Sequence, residues 1–138
     1  MPRTVTVILV ALGARDRLRS SLASIPEGRE VIVVDHGHPV GRPVIEGDLP
    51  RGVRLVRAER NRGFGAGCNE GAHLAGGELL LFLNPDAELQ PGAIEAMVAR
   101  FESDERIGVV GGRLLRPDGS DELSFGRRPR PRDLLAIA

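Results

Sequence analysis

The sequence predicts an α/β fold, a mainly parallel sheet flanked by helices, and three observations carry that reading. Short apolar runs recur along the chain, each bounded by Gly, Pro or charged residues; segments of helical periodicity lie between them; and the apolar content is aliphatic, with four Phe and neither Trp nor Tyr in 138 residues. Aliphatic, β-branched runs of this kind suit strands covered on both faces, as in parallel sheets. Strands alternating with helices imply right-handed crossovers and helices on both faces of the sheet.

Strands are expected at Val5–Ala11, Glu30–Asp35, Val53–Arg57, 79–83 and 107–111. Leu18, Leu22 and Ile25 are spaced i, i+4, i+7, and Ile94, Met97, Val98 and Phe101 are spaced i, i+3, i+4, i+7, so each set forms an apolar stripe for covering a sheet. Pro91 fits the first turn of the later helix. A further helix is expected over 65–75, rich in Gly and Ala, ending at Gly76-Gly77. Such small residues permit close approach of the backbone. Residues 113–116 and 122–125 read as strand pieces around Pro117-Asp118-Gly119-Ser120, where Asp-Gly supplies the positive φ angles of a tight hairpin. The length fits one domain, 1–138, in which 126–138 is a poorly anchored Arg- and Pro-rich tail.

Charge and cysteine content exclude several classes. Nineteen basic residues, all Arg, balance nineteen acidic ones, which argues against a broad surface for nucleic acid. Cys68 is the only cysteine, so an intramolecular disulfide scaffold is excluded and a reducing, cytoplasmic setting is the default. The apolar stretch 5–14 superficially resembles the start of a signal peptide, but Val5, Thr6, Val7, Ile8 and Val10 fit a buried strand better. No apolar stretch is long enough to span a bilayer.

In open parallel sheets, ligands bind beyond the carboxyl ends of the strands, so the polar residues that follow apolar runs are the candidates for a site. Asp35 follows Val31-Ile32-Val33-Val34, and Asp86 follows Leu79-Leu80-Leu81-Phe82-Leu83 after Asn84-Pro85. The expectation is that the two carboxylates emerge from neighbouring parallel strands into one crevice. An isolated Asp in either place would instead read as a helix cap or turn residue. Pro85 holds Asn84 extended and presents Asp86 as a hard oxygen ligand, and Mg²⁺ or Mn²⁺ needs only one or two carboxylates when substrate phosphates supply the remaining oxygens. Glu88 reads equally as a ligand through water or as a solvated residue before the helix.

With these residues in place, the chain resembles a known family. Val31 to Asp35, then Asn61-Arg62-Gly63-Phe64-Gly65-Ala66-Gly67-Cys68-Asn69-Glu70-Gly71, then Leu81-Phe82-Leu83-Asn84-Pro85-Asp86, in this order, resemble family 2 glycosyltransferases, in particular their rhamnosyltransferase-like members. Gly108-Val109-Val110-Gly111 and Arg113-Leu114-Leu115-Arg116-Pro117-Asp118-Gly119 continue the match. The resemblance implies the GT-A fold of nucleotide-diphospho-sugar transferases, truncated here to its N-terminal donor-binding half. It implies that Asp35 hydrogen-bonds the base or ribose and that Asp86 binds the divalent metal, Mg²⁺ or Mn²⁺, and the donor diphosphate. Asn61, Gly63 and Asn69 match the loop and helix start that shape the donor pocket. The implied partners are a nucleoside-diphosphate sugar and a saccharide or lipid-linked acceptor, and the implied reaction is inverting glycosyl transfer, with rhamnosyl transfer among its forms, in cell-wall or polysaccharide synthesis. Peripheral contact with the inner face of the membrane, self-association, and pairing with a complementing chain are all compatible with this reading.

Departures from the family pattern sharpen the alternative. Ala11-Leu12-Gly13 stands where the family has Thr-Tyr-Asn, His36-Gly37-His38-Pro39-Val40 replaces a stretch with Asn, Ser and a second Asp, and Asn84 replaces the first Asp of Asp-x-Asp. The family draws its catalytic base, a carboxylate, from a later segment, and Asp118, Asp121 and Glu122 are the late carboxylates weighed for that role. No base is assigned. The alternative is therefore a catalytically incomplete nucleotide-binding relic or interaction module. A dinucleotide fingerprint built on Gly65, Gly67, Gly71 and Asp86 fits poorly, because Glu59-Arg60-Asn61-Arg62 separate it from the preceding strand.

Overall fold

Val5 to Ala11 form a strand because an unbroken β-branched and aliphatic run has no polar face to present to water, so it is stable only when covered on both sides. In the computed structural model, which describes residues 3–12, 15–36, 49–50 and 52–122, with Arg15 and Asp16 described by backbone alone, this strand is buried along its whole length. The described elements are β1 (Val5–Ala11), α1 (Arg15–Ala23), β2 (Glu30–Asp35), β3 (Val53–Arg57), α2 (Phe64–Leu74), β4 (Leu79–Phe82), α3 (Ala93–Glu102), β5 (Leu114–Leu115) and β6 (Asp121–Glu122). They fall into two compact units divided after Pro91.

The first unit holds a four-stranded parallel sheet of order β3-β2-β1-β4. The chain runs outward from β1 to β2 and β3, then crosses to place β4 on the other side of β1. Right-handed crossovers in opposite directions put α1 and α2 on opposite faces, and the reversal at β1 creates a topological switch point at its carboxyl end.

Close contact between α2 and the sheet depends on glycine. A Cβ on Gly71 would lie 2.5 Å from Ile8 Cγ2, and one on Gly67 would lie 2.7 Å from Val10 Cγ1. Both distances are shorter than a carbon–carbon contact allows, so α2 can rest on β1 only where those side chains end at hydrogen. Around this contact Val10, Ile32 and Val34 form a buried cluster, joined by Val56, Ala58, Cys68, Leu74 and Ala75. Burial also pushes the Cys68 thiol pKa up, which keeps it in its unreactive protonated form.

The amino end of the sheet is closed by a polar network. Thr6, fully buried, donates its hydroxyl to the Glu30 carboxylate and accepts the Gly77 N–H at 2.9 Å, while Glu30 also accepts the Gly76 N–H at 2.8 Å. A Cβ on Gly77 would fall 2.6 Å from Thr6 Oγ1, so the turn before β4 approaches β1 only as glycine. These hydrogen bonds, led by that from Thr6, hold the Glu30 pKa below its ordinary value.

In the second unit, α3 is capped by Gly92, whose φ is 78°, and Pro91 precedes that cap, outside the first helical turn where the sequence reading placed it. The hairpin forms with a shorter ladder, Leu114 opposite Glu122 and Leu115 opposite Asp121. Only Gly119 takes a positive φ, 81°; with Gly119 N–H donating to Arg116 O at 2.9 Å this is a turn closed by one left-handed residue, so Asp118 does not share that conformation. The strand expected at 107–111 is absent: that stretch pairs with no described strand, and Val109 is 89% exposed. An apolar run becomes a strand only where a neighbour accepts its backbone groups, and Gly108, Gly111 and Gly112 weaken it further. The tail 126–138 and the end of the second hairpin segment, 123–125, lie outside the described residues.

Two outcomes follow. Gly71→Ala should lower stability by about 1–3 kcal/mol in denaturant unfolding, because overpacking displaces Ile8 or α2, whereas Gly65→Ala, with nothing within 4 Å of the added Cβ, should be neutral or slightly stabilising. Because the Glu30 pKa is depressed in the folded chain, its contribution is present above the ordinary carboxylate pKa and is lost as pH falls through the folded value. Unfolding midpoints followed from pH 6 to pH 3 should therefore show a steeper acid loss for the parent chain than for Glu30→Gln.

Candidate functional site

Parallel strands deliver their carboxyl ends, and the loops that follow them, to one edge of the sheet. Asp35 is the last residue of β2, in register with Ala11 on one side and Arg57 on the other. Asp86 follows β4 by way of Leu83, whose N–H still donates to Ile8 O at 3.0 Å, and the Asn84-Pro85 step. Both acidic residues thus stand at the carboxyl edge. They do not come from neighbouring strands: β1 lies between β2 and β4, so the two strands are about 10 Å apart, twice the spacing of adjacent strands.

Their environments differ more than the sequence suggests. The Asp86 side chain is 51% exposed, open to a ligand. Asp35 is 2% exposed, and no buried side-chain nitrogen or oxygen among the described residues lacks a hydrogen-bond partner. Beside it the buried His36 donates its backbone N–H to Ala11 O at 3.0 Å, and its ring lies 3.0 Å from where a Cβ on Gly67 would be. The glycine in the second turn of α2 makes room for that imidazole. Residues 37–40, His38 among them, lie outside the described residues, as does Gly13.

Asn61 and Gly63 belong to the connection from β3 into α2 and Asn69 to α2 itself, whose amino end topology also brings to the carboxyl edge. Gly63 caps α2 with φ 90°, a conformation that L side chains rarely adopt, and its N–H donates to Asn61 Oδ1 at 2.8 Å. Asn61 is therefore committed to shaping its own turn. Asn69, exposed, lies in the second turn of α2 rather than at its start, and its carbonyl pairs with His73 Nδ1 at 2.6 Å. Phe64 and Leu12, both half exposed, add apolar surface at the same edge.

The residues that sequence reasoning passed over are on α1 and just past its end. Ser21, fully buried, donates its hydroxyl to Asn84 O at 3.3 Å; Ser24 Oγ accepts the Leu89 N–H at 2.9 Å and donates to Ser21 O at 2.7 Å; and Arg17 Nη1 lies 3.6 Å from Asp86 Oδ2. Arg17, Ser21 and Ser24 are spaced i, i+4, i+7, a polar stripe along which the 84–89 loop is fastened. The apolar stripe of Leu18, Leu22 and Ile25 drew attention to the core, and the interleaved polar positions gave the overlooked signal.

Among the described residues no group of three or more His, Cys, Asp or Glu side chains could hold a metal by itself. The donor chemistry fits a divalent cation held by the exposed Asp86 carboxylate and completed by oxygens of a ligand. Among the late carboxylates, Asp118 Oδ1 accepts the Ser120 hydroxyl at 2.6 Å and the Ser120 N–H at 2.9 Å, which together hold its pKa down, and Asp121 pairs with Arg113 at 2.6 Å, so both serve the hairpin.

An α/β sheet with its switch point at β1, a loop carrying Asp86 after β4 and a glycine-capped helix after β3 is the arrangement of the GT-A fold. Solved structures agree: a mannosyltransferase from Pyrobaculum calidifontis in complex with GDP-Man and Mn²⁺ superposes with a TM-score of 0.67 at 21% identity, covering 86% of this chain and 37% of that one. TarS of S. aureus does so with a TM-score of 0.56 at 18% identity, over 72% of this chain and 19% of that one. Residues 6–136 match the model of glycosyl transferase family 2, and the chain belongs to that family. Among curated relatives, a dodecaprenyl-phosphate galacturonate synthase of Rhizobium johnstonii is 31% identical over 108 residues, which is 75% of this chain and 32% of that protein. An N-acetylglucosaminyl-diphospho-decaprenol L-rhamnosyltransferase of Mycobacterium tuberculosis is 27% identical over 135 residues, 87% of this chain and 44% of that protein. The chain thus spans about a third to under half the length of these relatives. Among the described residues no helix is long and apolar enough to cross a membrane.

Loss of the Ser24 hydroxyl should loosen the loop selectively. Ser24→Ala is expected to cost about 1 kcal/mol in stability and to raise the hydrogen-exchange rate of the Leu89 amide well above that of amides in β1.

Proposed function

We propose that the chain binds a nucleoside-diphosphate sugar at the carboxyl edge of its sheet, with a divalent cation, Mg²⁺ or Mn²⁺, held by Asp86. The observation that carries this is the open Asp86 carboxylate on a loop fixed beside the switch point, in a member of a family whose relatives include sugar transferases that act on polyprenyl-linked substrates by name. When bound, the cation neutralises the diphosphate and favours its departure from the sugar. The chain's own residues do the rest of the holding. The amino end of α2, with N–H groups not used within the helix, faces the edge where the nucleotide's phosphates would lie. Gly63 and Asn61 fix the turn that sets that helix end, and Asn69, exposed in the next turn, is assigned to the donor's surroundings.

Asp35 is assigned to the base or ribose. Its burial means that direct contact requires the surrounding segments to move as the nucleotide enters, and the roughly 10 Å between β2 and β4 matches a ligand whose base and diphosphate occupy opposite ends of the edge. Inverting transfer to a saccharide or lipid-linked acceptor, with rhamnose among the candidate sugars, is the reaction this donor site would serve. It further requires a base near the acceptor hydroxyl. The engagement of Asp118 and Asp121 within the hairpin supports the second reading, in which this segment binds the donor without turning it over.

Calorimetry with UDP and GDP, each with and without Mn²⁺, tests the donor site. Metal should tighten nucleotide binding, and Asp86→Ala should abolish most of that gain, on the order of tenfold or more. An Asp86→Ala chain that binds nucleotide as tightly as the parent, with the same dependence on metal, would remove Asp86 from the site. Donor hydrolysis by the parent chain then separates the two readings, since the binding-only reading requires none above background.

A further inference from the structure

Arg17 stands out because it pairs with the carboxylate assigned to the metal. Its guanidinium, 72% exposed, lies 3.6 Å from Asp86 Oδ2, and the neighbouring contacts from Ser21 and Ser24 fix the loop against the same helix face, so the two charges are held within reach of each other. At that distance and exposure the pair is weak and easily exchanged. A diphosphate offers the guanidinium a better partner, since its oxygens carry more charge and accept two parallel N–H donors.

We infer that Arg17 is a counter-ion gate on Asp86. While diphosphate is absent, the guanidinium neutralises the carboxylate and competes with a divalent cation. When the donor arrives, Arg17 turns to a phosphate oxygen, and Asp86 is released to the cation that the same phosphates help to hold. Metal and nucleoside diphosphate therefore bind in concert, and by linkage each tightens the other by the same factor. The inference rests on the donor-site reading above and adds a binding residue to it. Nothing in the spacing of the acidic residues announces this role, which emerges only once α1 is seen beside the 84–89 loop.

The test titrates the full chain with MnCl2 alone, with GDP and UDP alone, and with MnCl2 at saturating nucleotide, for the parent, Arg17→Ala, Arg17→Lys and Asp86→Ala. Arg17→Ala should bind Mn²⁺ alone about two- to fivefold more tightly than the parent, the range expected from releasing one exposed ion pair. It should bind nucleotide alone more weakly, so the coupling between the two ligands shrinks, and Arg17→Lys should restore part of it. Matched thermal unfolding of the variants guards against a fold effect. Unchanged or weaker Mn²⁺ binding by Arg17→Ala, in a parent whose nucleotide binding depends on metal and on Asp86, overturns the gate and leaves the donor site standing. A parent without metal-dependent nucleotide binding, matched by Asp86→Ala, overturns both.

Discussion

The distance of closest approach between α2 and the sheet governs the rest of the first unit. Gly67 and Gly71 let the helix settle where any side chain would collide with Val10 or Ile8, and the settled helix shields Ile32 and Val34 from water. The position of α2 in turn sets the position of its amino end, the turn at Asn61–Gly63 and the space occupied by the His36 ring. Packing and site geometry are thus one constraint expressed twice: the missing methyl groups that allow a dense core also place the helix end at the binding edge.

A similar economy operates on the other face. Helix α1 shields part of the core with Leu18 and Leu22, while Arg17 and Ser21 on it and Ser24 just past its end fasten the loop that carries Asp86. A loop of six residues with a proline near its start would otherwise sample many positions for its carboxylate. Anchoring at Asn84 and Leu89, on either side of Asp86, confines that search before a ligand arrives, which lowers the ordering cost of binding.

The strand and helix pattern was legible because most of it depends on local periodicity. β1, β2 and β3 appear at the bounds read from their apolar runs, α2 is within one residue of expectation, and α3 covers the Ile94–Phe101 stripe while starting after Pro91. The family, too, was readable from Asn61 to Gly71 and Asn84 to Asp86, and the match over 6–136 agrees. What escaped depends on contacts between distant segments. The 107–111 run has strand composition without a strand partner, the β1 strand separating Asp35 from Asp86 is a matter of sheet order, and the burial of Asp35 depends on what folds over it. Ser21 on α1 and Ser24 just past its end look like ordinary surface residues until the loop they hold is in place.

The network joining Thr6, Glu30, Gly76 and Gly77 lies at the end of the sheet away from the proposed ligand. It stitches β1, the start of β2 and the turn into β4, segments far apart along the chain, into one rigid hem. With β1 and β2 clamped here and β1, β2 and β3 laddered together as far as Ala11, Asp35 and Arg57, the sheet itself has no hinge along its length. Any widening needed to admit a nucleotide near Asp35 is then directed to the loops at the open margin, while the register of the sheet beneath them stays fixed.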